Sequence, residues 1–230
     1  MVHAIGLGPA LFAVAILLGA CAAPPPPAGT LHGARTGWFY PRGPYTTIRT
    51  SPDGPERTRV GPETGGRWTV NIGEPPTTIH ATRLPDGRPA TISIAEPARG
   101  ETVVFDPPQA LVPRPDATTP ATEESSVTLY QGLSVEPGQS PKRTGTATRT
   151  FFGIEPATWT KNGTTHPAQR MHHELLLDFG AAKVRQRYES LAVQRLGIVR
   201  ETVTQRVTFL GVRISGSERT TELTEFDEPR

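Results

Sequence analysis

The side chains best placed by type and spacing to do chemistry are His166, His172, His173 and Glu174, all near the middle of the second half of the chain. Histidine and carboxylate are zinc ligands, and three of them around an ion would make a metal centre. In an extended strand, however, His172 and His173 point to opposite faces, so at most one of that pair joins His166 or Glu174. His172 and Glu174 share a face, which makes His166, His172 and Glu174 the one metal set worth considering. A cross-strand polar pair accounts for the same residues without an ion, so neither a metal nor another cofactor is expected. The His-Glu-x-x-His pattern of zinc proteases is absent, because Glu174 is followed by three leucines and an aspartate. No Gly-x-Ser-x-Gly turn is present to carry an exposed serine nucleophile. Gly6-x-Gly8 falls in the apolar leader, so it is not a phosphate-cradling loop. Acids such as Asp178 and Glu201 stand singly, and no paired-acid site can be located. No residue is assigned a catalytic role, and the expectation is a protein that is not an enzyme.

The elements that hold these residues are strands. The longest alternation in the chain runs through Val199, Glu201, Val203, Gln205, Val207 and Phe209 on one side, with Arg200, Thr202, Thr204, Arg206 and Thr208 on the other. That pattern predicts a half-buried antiparallel strand, and the first six residues are the candidates to face a ligand. Glu201 and Gln205 are the polar exceptions on that face, either contacts to a ligand or marks of a wet rim. Met171, His173, Leu175, Leu177 and Phe179 share one parity, and Val184, Tyr188 and Ala192 another, as expected of neighbouring strands in a meander. Trp68, Val70 and Ile72 alternate as well. The turn Pro85-Asp86-Gly87-Arg88 and the pair Asn162-Gly163 predict hairpins. Asn162-Gly163-Thr164 also matches a glycosylation sequon, but the turn suffices to explain it. Residues 37–66 read as loop-rich, with Trp38, Phe39, Tyr40 and Tyr45 as a first short strand. The prolines of residues 106–124 predict a long crossing loop in which strands do not continue, since proline lacks the ladder amide. The fold class is therefore mainly β: a curved antiparallel sheet, half barrel or open barrel, with long Pro-rich loops, preceded by an N-terminal leader helix.

Residues 4–20 are almost wholly apolar and end at Cys21, the sole cysteine of 230 residues. The run is shorter than the roughly twenty apolar residues of a spanning helix and fits a secretion signal. Leu18, Gly19 and Ala20 before Cys21 resemble the lipobox of bacterial lipoproteins. That resemblance implies cleavage before Cys21 and acylation of both its thiol and its new amino group. The alternative is a retained signal anchor; the leader has no Lys or Arg, only His3. Either arrangement tethers the protein to a membrane and leaves no internal disulfide. Ala22 supplies no acidic retention signal, which favours an outer membrane, with the domain facing the periplasm. Pro24 to Pro27 predict an extended spacer. The expected organisation is a signal peptide at residues 1–21, a Pro-rich linker at 22–36, and one β domain at 37–226.

The 24 Lys and Arg against 22 Asp and Glu give a formal charge of +2, and the basic residues of the second half alternate with apolar ones. That is a solvated sheet face and not a nucleic-acid groove, so no nucleic acid is expected as a partner. Leu84-Pro85-Asp86-Gly87, Glu101-Thr102-Val103-Val104-Phe105-Asp106-Pro107-Pro108, Pro113, Thr165-His166-Pro167-Ala168 and Leu196-Gly197-Ile198-Val199-Arg200-Glu201, in that order, resemble a diffuse set of exported bacterial domains of uncharacterised function. These domains are similar in turn to the half barrel of lipoprotein carrier proteins, a curved sheet around an apolar cavity. The resemblance spans roughly residues 67–223 and implies no catalytic residue; residues 116–126 depart from it. Three roles follow as expectations: a non-catalytic structural or interaction role at the envelope, meeting envelope proteins; a carrier or sensor of an apolar, lipid-like ligand; and a hydrolase of unrecognised type. A core filled by its own side chains favours the first, and a void of about 300 Å³ or more the second. Convergent polar groups with shifted pKa values would favour the third.

Overall fold

The computed structural model describes residues 36–117 and 120–227. The leader, the lipobox with Cys21, and the proline spacer lie outside the described residues. A single 3₁₀ turn, Thr36–Trp38, precedes twelve antiparallel strands. They are β1 (Tyr45–Ser51), β2 (Gly54–Val60), β3 (Arg67–Ile72), β4 (Thr77–Arg83), β5 (Pro89–Glu96), β6 (Glu101–Ala110), β7 (Ala121–Gln131), β8 (Arg143–Lys161), β9 (Thr164–Asp178), β10 (Ala182–Val193), β11 (Gly197–Phe209) and β12 (Val212–Asp227). Each pairs with the next in sequence, and β1 pairs with β12, so the curved sheet closes into an up-and-down barrel with no free edge. Among the described residues no helix is long and apolar enough to cross a membrane.

Strand formation follows the alternation. In β9, Met171, His173, Leu175 and Leu177 are buried and the residues between them are not. The Asn162-Gly163 turn joins β8 to β9 with φ of 51° and 77°, both left-handed, as a tight two-residue hairpin requires. Two expectations need correction. Residues 37–66 contain two full strands, β1 and β2, and the Trp38 to Tyr40 aromatics form the 3₁₀ turn and the segment after it, not a strand. Most inward residues of β1 and β2 are polar, Thr47, Arg49, Ser51, Glu56 and Thr58, so no apolar period marks these strands. Nor does the Pro-rich stretch 106–124 interrupt the sheet throughout: β6 continues through Pro107 and Pro108 to Ala110. It can do so because its pairing with β7 ends at Asp106, and because the register with β5 jumps from Val104 opposite Ser93 to Gln109 opposite Thr91. The prolines sit where no ladder amide is called for.

The core has three parts. Val103, Phe105, Val127, Leu129, Ala147, Leu175, Leu177, Val184 and Val207 fill one end of the interior. Phe39 is fully buried with Val112, Phe151, Ile154, Met171, Ala192 and Ile198, so the segment before β1 plugs the other end. Trp159, Ala168, Leu191, Val193, Val199 and Leu223 form a third cluster, away from the interior.

Candidate functional site

Between the two plugs the barrel is hollow, with a cavity of about 360 Å³. A barrel of about eight strands is just filled by its side chains, and the interior widens with strand number, so twelve leave room. The cavity's apolar wall comes from β3 to β6 and β9: Trp68, Val70, Ile72, Ile79, Ile94, Val103, Phe105, Leu175 and Leu177 all line it. Its polar wall comes mainly from β8 to β12, β1 and β2, with Thr91 of β5 and Gln109 of β6 adding polar groups beside the apolar ones.

On that polar wall, register sets Phe151 of β8 opposite His173 of β9, His173 opposite Tyr188 of β10, and Tyr188 opposite Val203 of β11. The His173 ring stacks on Tyr188, with centroids 4.5 Å apart and 8° between planes. The guanidinium carbon of Arg149 lies 5.8 Å from the centre of the Tyr188 ring. Tyr188 donates its hydroxyl hydrogen to Gln186 Oε1 at 2.8 Å, and Gln186 Nε2 donates to Gln205 Oε1 at 2.7 Å. Ser190 Oγ donates to Glu201 Oε1 at 2.8 Å. Further round the same wall, Arg219 donates to Glu56 at 3.0 Å, and Arg49 donates to the Ile198 carbonyl at 3.1 Å.

Burial governs the protonation of this wall. It holds His173 neutral, its pKa pushed well below the ordinary 6.5, with Arg149 and then His172 adding to the effect. Burial pushes the Tyr188 hydroxyl up to about 12, against the opposing pull of Arg149 and with a further push from Glu201. The Tyr40 hydroxyl is raised further still, by burial first and Glu201 second. Each shift keeps a group uncharged; none exposes a low-pKa nucleophile, and Ser190 bonds to a carboxylate, not to a histidine.

Of the ligand-facing candidates, Glu201 and Val203 line the cavity. Gln205 is buried inside the barrel, so it does not mark a wet rim. Val207 belongs to the apolar end plug, and Phe209 is half-buried at the end of β11. Val199 is the exception. The register of β10 against β11 shifts between Leu191, opposite Arg200, and Ala192, opposite Ile198. Val199 is the extra residue of that bulge and turns away to pack with Trp159 and Leu191, while Ile198 takes the cavity side.

The metal candidates are not brought together. His166 lies against the Trp159 ring, His172 Nε2 approaches Glu155 at 3.9 Å, and Glu174 is engaged by Arg187 at 2.8 Å and Arg185 at 3.3 Å. Among the described residues no cluster of three or more His, Cys, Asp or Glu is arranged to hold a metal ion. The site residues not anticipated are Arg149, Tyr188, Gln109 and Arg49, while His173, considered only as a metal ligand, lines the cavity instead. For Arg149 a signal existed: it has the same parity as Ala147 and Phe151, both buried.

No family model matches this chain. No curated protein matches it either. Two solved structures are similar in outline. The hypothetical lipoprotein YmcC of Escherichia coli (K12) is 10% identical, with 84% of this chain and 87% of that one covered and a TM-score of 0.44. A candidate lipoprotein of Parabacteroides distasonis is 14% identical, with 83% and 98% covered and a TM-score of 0.39. Likeness this remote assigns neither family nor function. The carrier resemblance rests on the sequence motifs alone.

Proposed function

We propose that this protein is an exported lipoprotein, held to a membrane through an acylated Cys21, whose barrel binds a small ligand with a substantial apolar part and does not transform it. The observation that carries the reading is the cavity of about 360 Å³ between two packed ends, walled on one side by Trp68, Val70, Ile72, Ile79 and Ile94. A void of that size with an apolar wall and a few placed polar groups has the character of a ligand site. The outer membrane, with the domain in the periplasm, is the location that the leader and Ala22 favour.

The test is binding of an environment-sensitive apolar fluorophore, N-phenylnaphthylamine, to the full chain and to a Val203→Trp variant that fills the cavity. The expected result is saturable enhancement in the unmodified protein and its loss in the variant, with unchanged circular dichroism. Equal enhancement in both would place the dye elsewhere and contradict the reading. A second reading, an interaction role at the envelope, is favoured by the exposed Leu210, Val212 and Ile214 around the β11–β12 turn.

A further inference from the structure

We infer that the ligand carries an anionic head, a carboxylate or a phosphate, held by Arg149, with its apolar tail against the cavity-lining side chains of β3 and β4. This deepens the proposal above and rests on it.

Arg149 is 6% exposed and lines the cavity. A guanidinium carries five N–H donors and no acceptor, so burial without an acceptor is expensive. Among the described residues Arg149 has neither an ion pair nor a hydrogen bond, and its Nε is buried without a partner. It lies 5.8 Å from the centre of the Tyr188 ring, and its charge also acts on His173 and Tyr40, neither of which offers it an anion.

Each of the other charged side chains of the cavity has a hydrogen-bond partner, and one pair, Arg219 with Glu56, is an ion pair. Three arginines, Arg49, Arg149 and Arg219, face two glutamates, Glu56 and Glu201. Glu56 accepts from Arg219, and Glu201 accepts from Ser190. Arg49 donates to a backbone carbonyl. The lining is left with one more cation than anion, and Arg149 is the cation without an acceptor.

Other polar atoms at the same cavity are also orphaned. Thr47 Oγ1, Gln109 Nε2 and Oε1, and His173 Nδ1 are buried without a partner, and all four belong to residues of the lining. Buried polar atoms in folded proteins are nearly always satisfied. Several unsatisfied ones around a single cavity, beside an unpaired guanidinium, describe a polar seat for a head group. Planar, bidentate recognition of carboxylate or phosphate is what a guanidinium does best. The opposite wall offers no polar side chain between Trp68 and Ile79 on the cavity side, only Val70 and Ile72, and suits a hydrocarbon tail.

The test uses three eight-carbon amphiphiles that stay monomeric in water: octanoate, octyl phosphate and octanol. Each is titrated calorimetrically into the full chain in a nonionic detergent, and into Arg149→Gln. At least one of the two anions is expected to bind tenfold or more tightly than octanol, and the tighter one identifies the head. In Arg149→Gln that anion should fall to the affinity of octanol, while octanol itself changes less than twofold, which also reports that the cavity is folded. If octanol binds the unmodified protein as tightly as both anions, or if the variant keeps the preference, the anionic head is overturned and the cavity reading stands. If none of the three binds, the cavity reading itself falls. The comparison within the unmodified protein decides the matter even if the variant does not fold.

Discussion

His173 illustrates how a single residue couples the interior to pH. It is 2% exposed and stacked on Tyr188, and burial first, then Arg149 and His172, disfavour its charged form. Because its folded pKa lies below the unfolded value of 6.5, the unfolded chain takes up a proton that the folded one refuses. The resulting stability is complete above pH 6.5 and is lost as the pH falls toward the folded pKa, at about 1.4 kcal/mol per pH unit. Urea denaturation between pH 7 and pH 5 should therefore show a falling midpoint, and His173→Phe, which keeps a ring on Tyr188, should flatten that slope. An unchanged slope would mean that His173 does not stay neutral. At this scale the sequence was partly legible. Parity assigned His173 to a face shared with Met171, Leu175 and Leu177, and the same parity placed Arg149 with Ala147 and Phe151. What it did not reveal is that Arg149 lacks an acceptor, because that depends on which strands come to face one another across the interior.

At the scale of elements, alternation located the long strands β9 to β11, where one face is apolar, and the Asn162-Gly163 pair located the hairpin of β8 and β9. It failed for β1 and β2, whose inward threonines and serine give no apolar signal, and for β6, whose prolines fall in a register jump that only the partner strands define. The bulge at Val199 was equally hidden: a strict period of two puts Val199 beside Val203, and one extra residue sends it to the other side. Gly145 shows how closely the strands are fitted. A Cβ there would overlap the Asp178 carbonyl oxygen and lie 2.9 Å from the Asp178 carbonyl carbon and 3.1 Å from Phe179 Cα. Those are backbone atoms of β9 and its turn, which cannot swing aside. Gly145→Ala is expected to cost about 1–3 kcal/mol, the range typical of overpacking, read as a lower urea midpoint. A midpoint equal to that of the unmodified protein would show that the β8–β9 register is looser than the structure has it.

The whole molecule is a closed barrel whose polarity is the reverse of a membrane-spanning one. Outward faces carry ion pairs such as Lys183–Asp178 at 2.7 Å, Arg187–Glu174 at 2.8 Å and Arg200–Glu222 at 3.0 Å, where a spanning barrel would present an apolar band. Apolar side chains gather inside, at the two ends, and leave the middle open. The sequence predicted the curved antiparallel sheet. Its closure depends on β1 meeting β12, a pairing between strands at opposite ends of the domain that no local pattern encodes. That a hollow barrel with a charged exterior and an amphipathic cavity holds a ligand is the central claim. Its most direct test is native mass spectrometry of the full chain extracted from the membranes of cells that make it. A reproducible additional mass, beyond any acyl modification and released on denaturation, is the predicted result. A polypeptide carrying no such mass, and acquiring none after incubation with an extract of the same membranes, would contradict it.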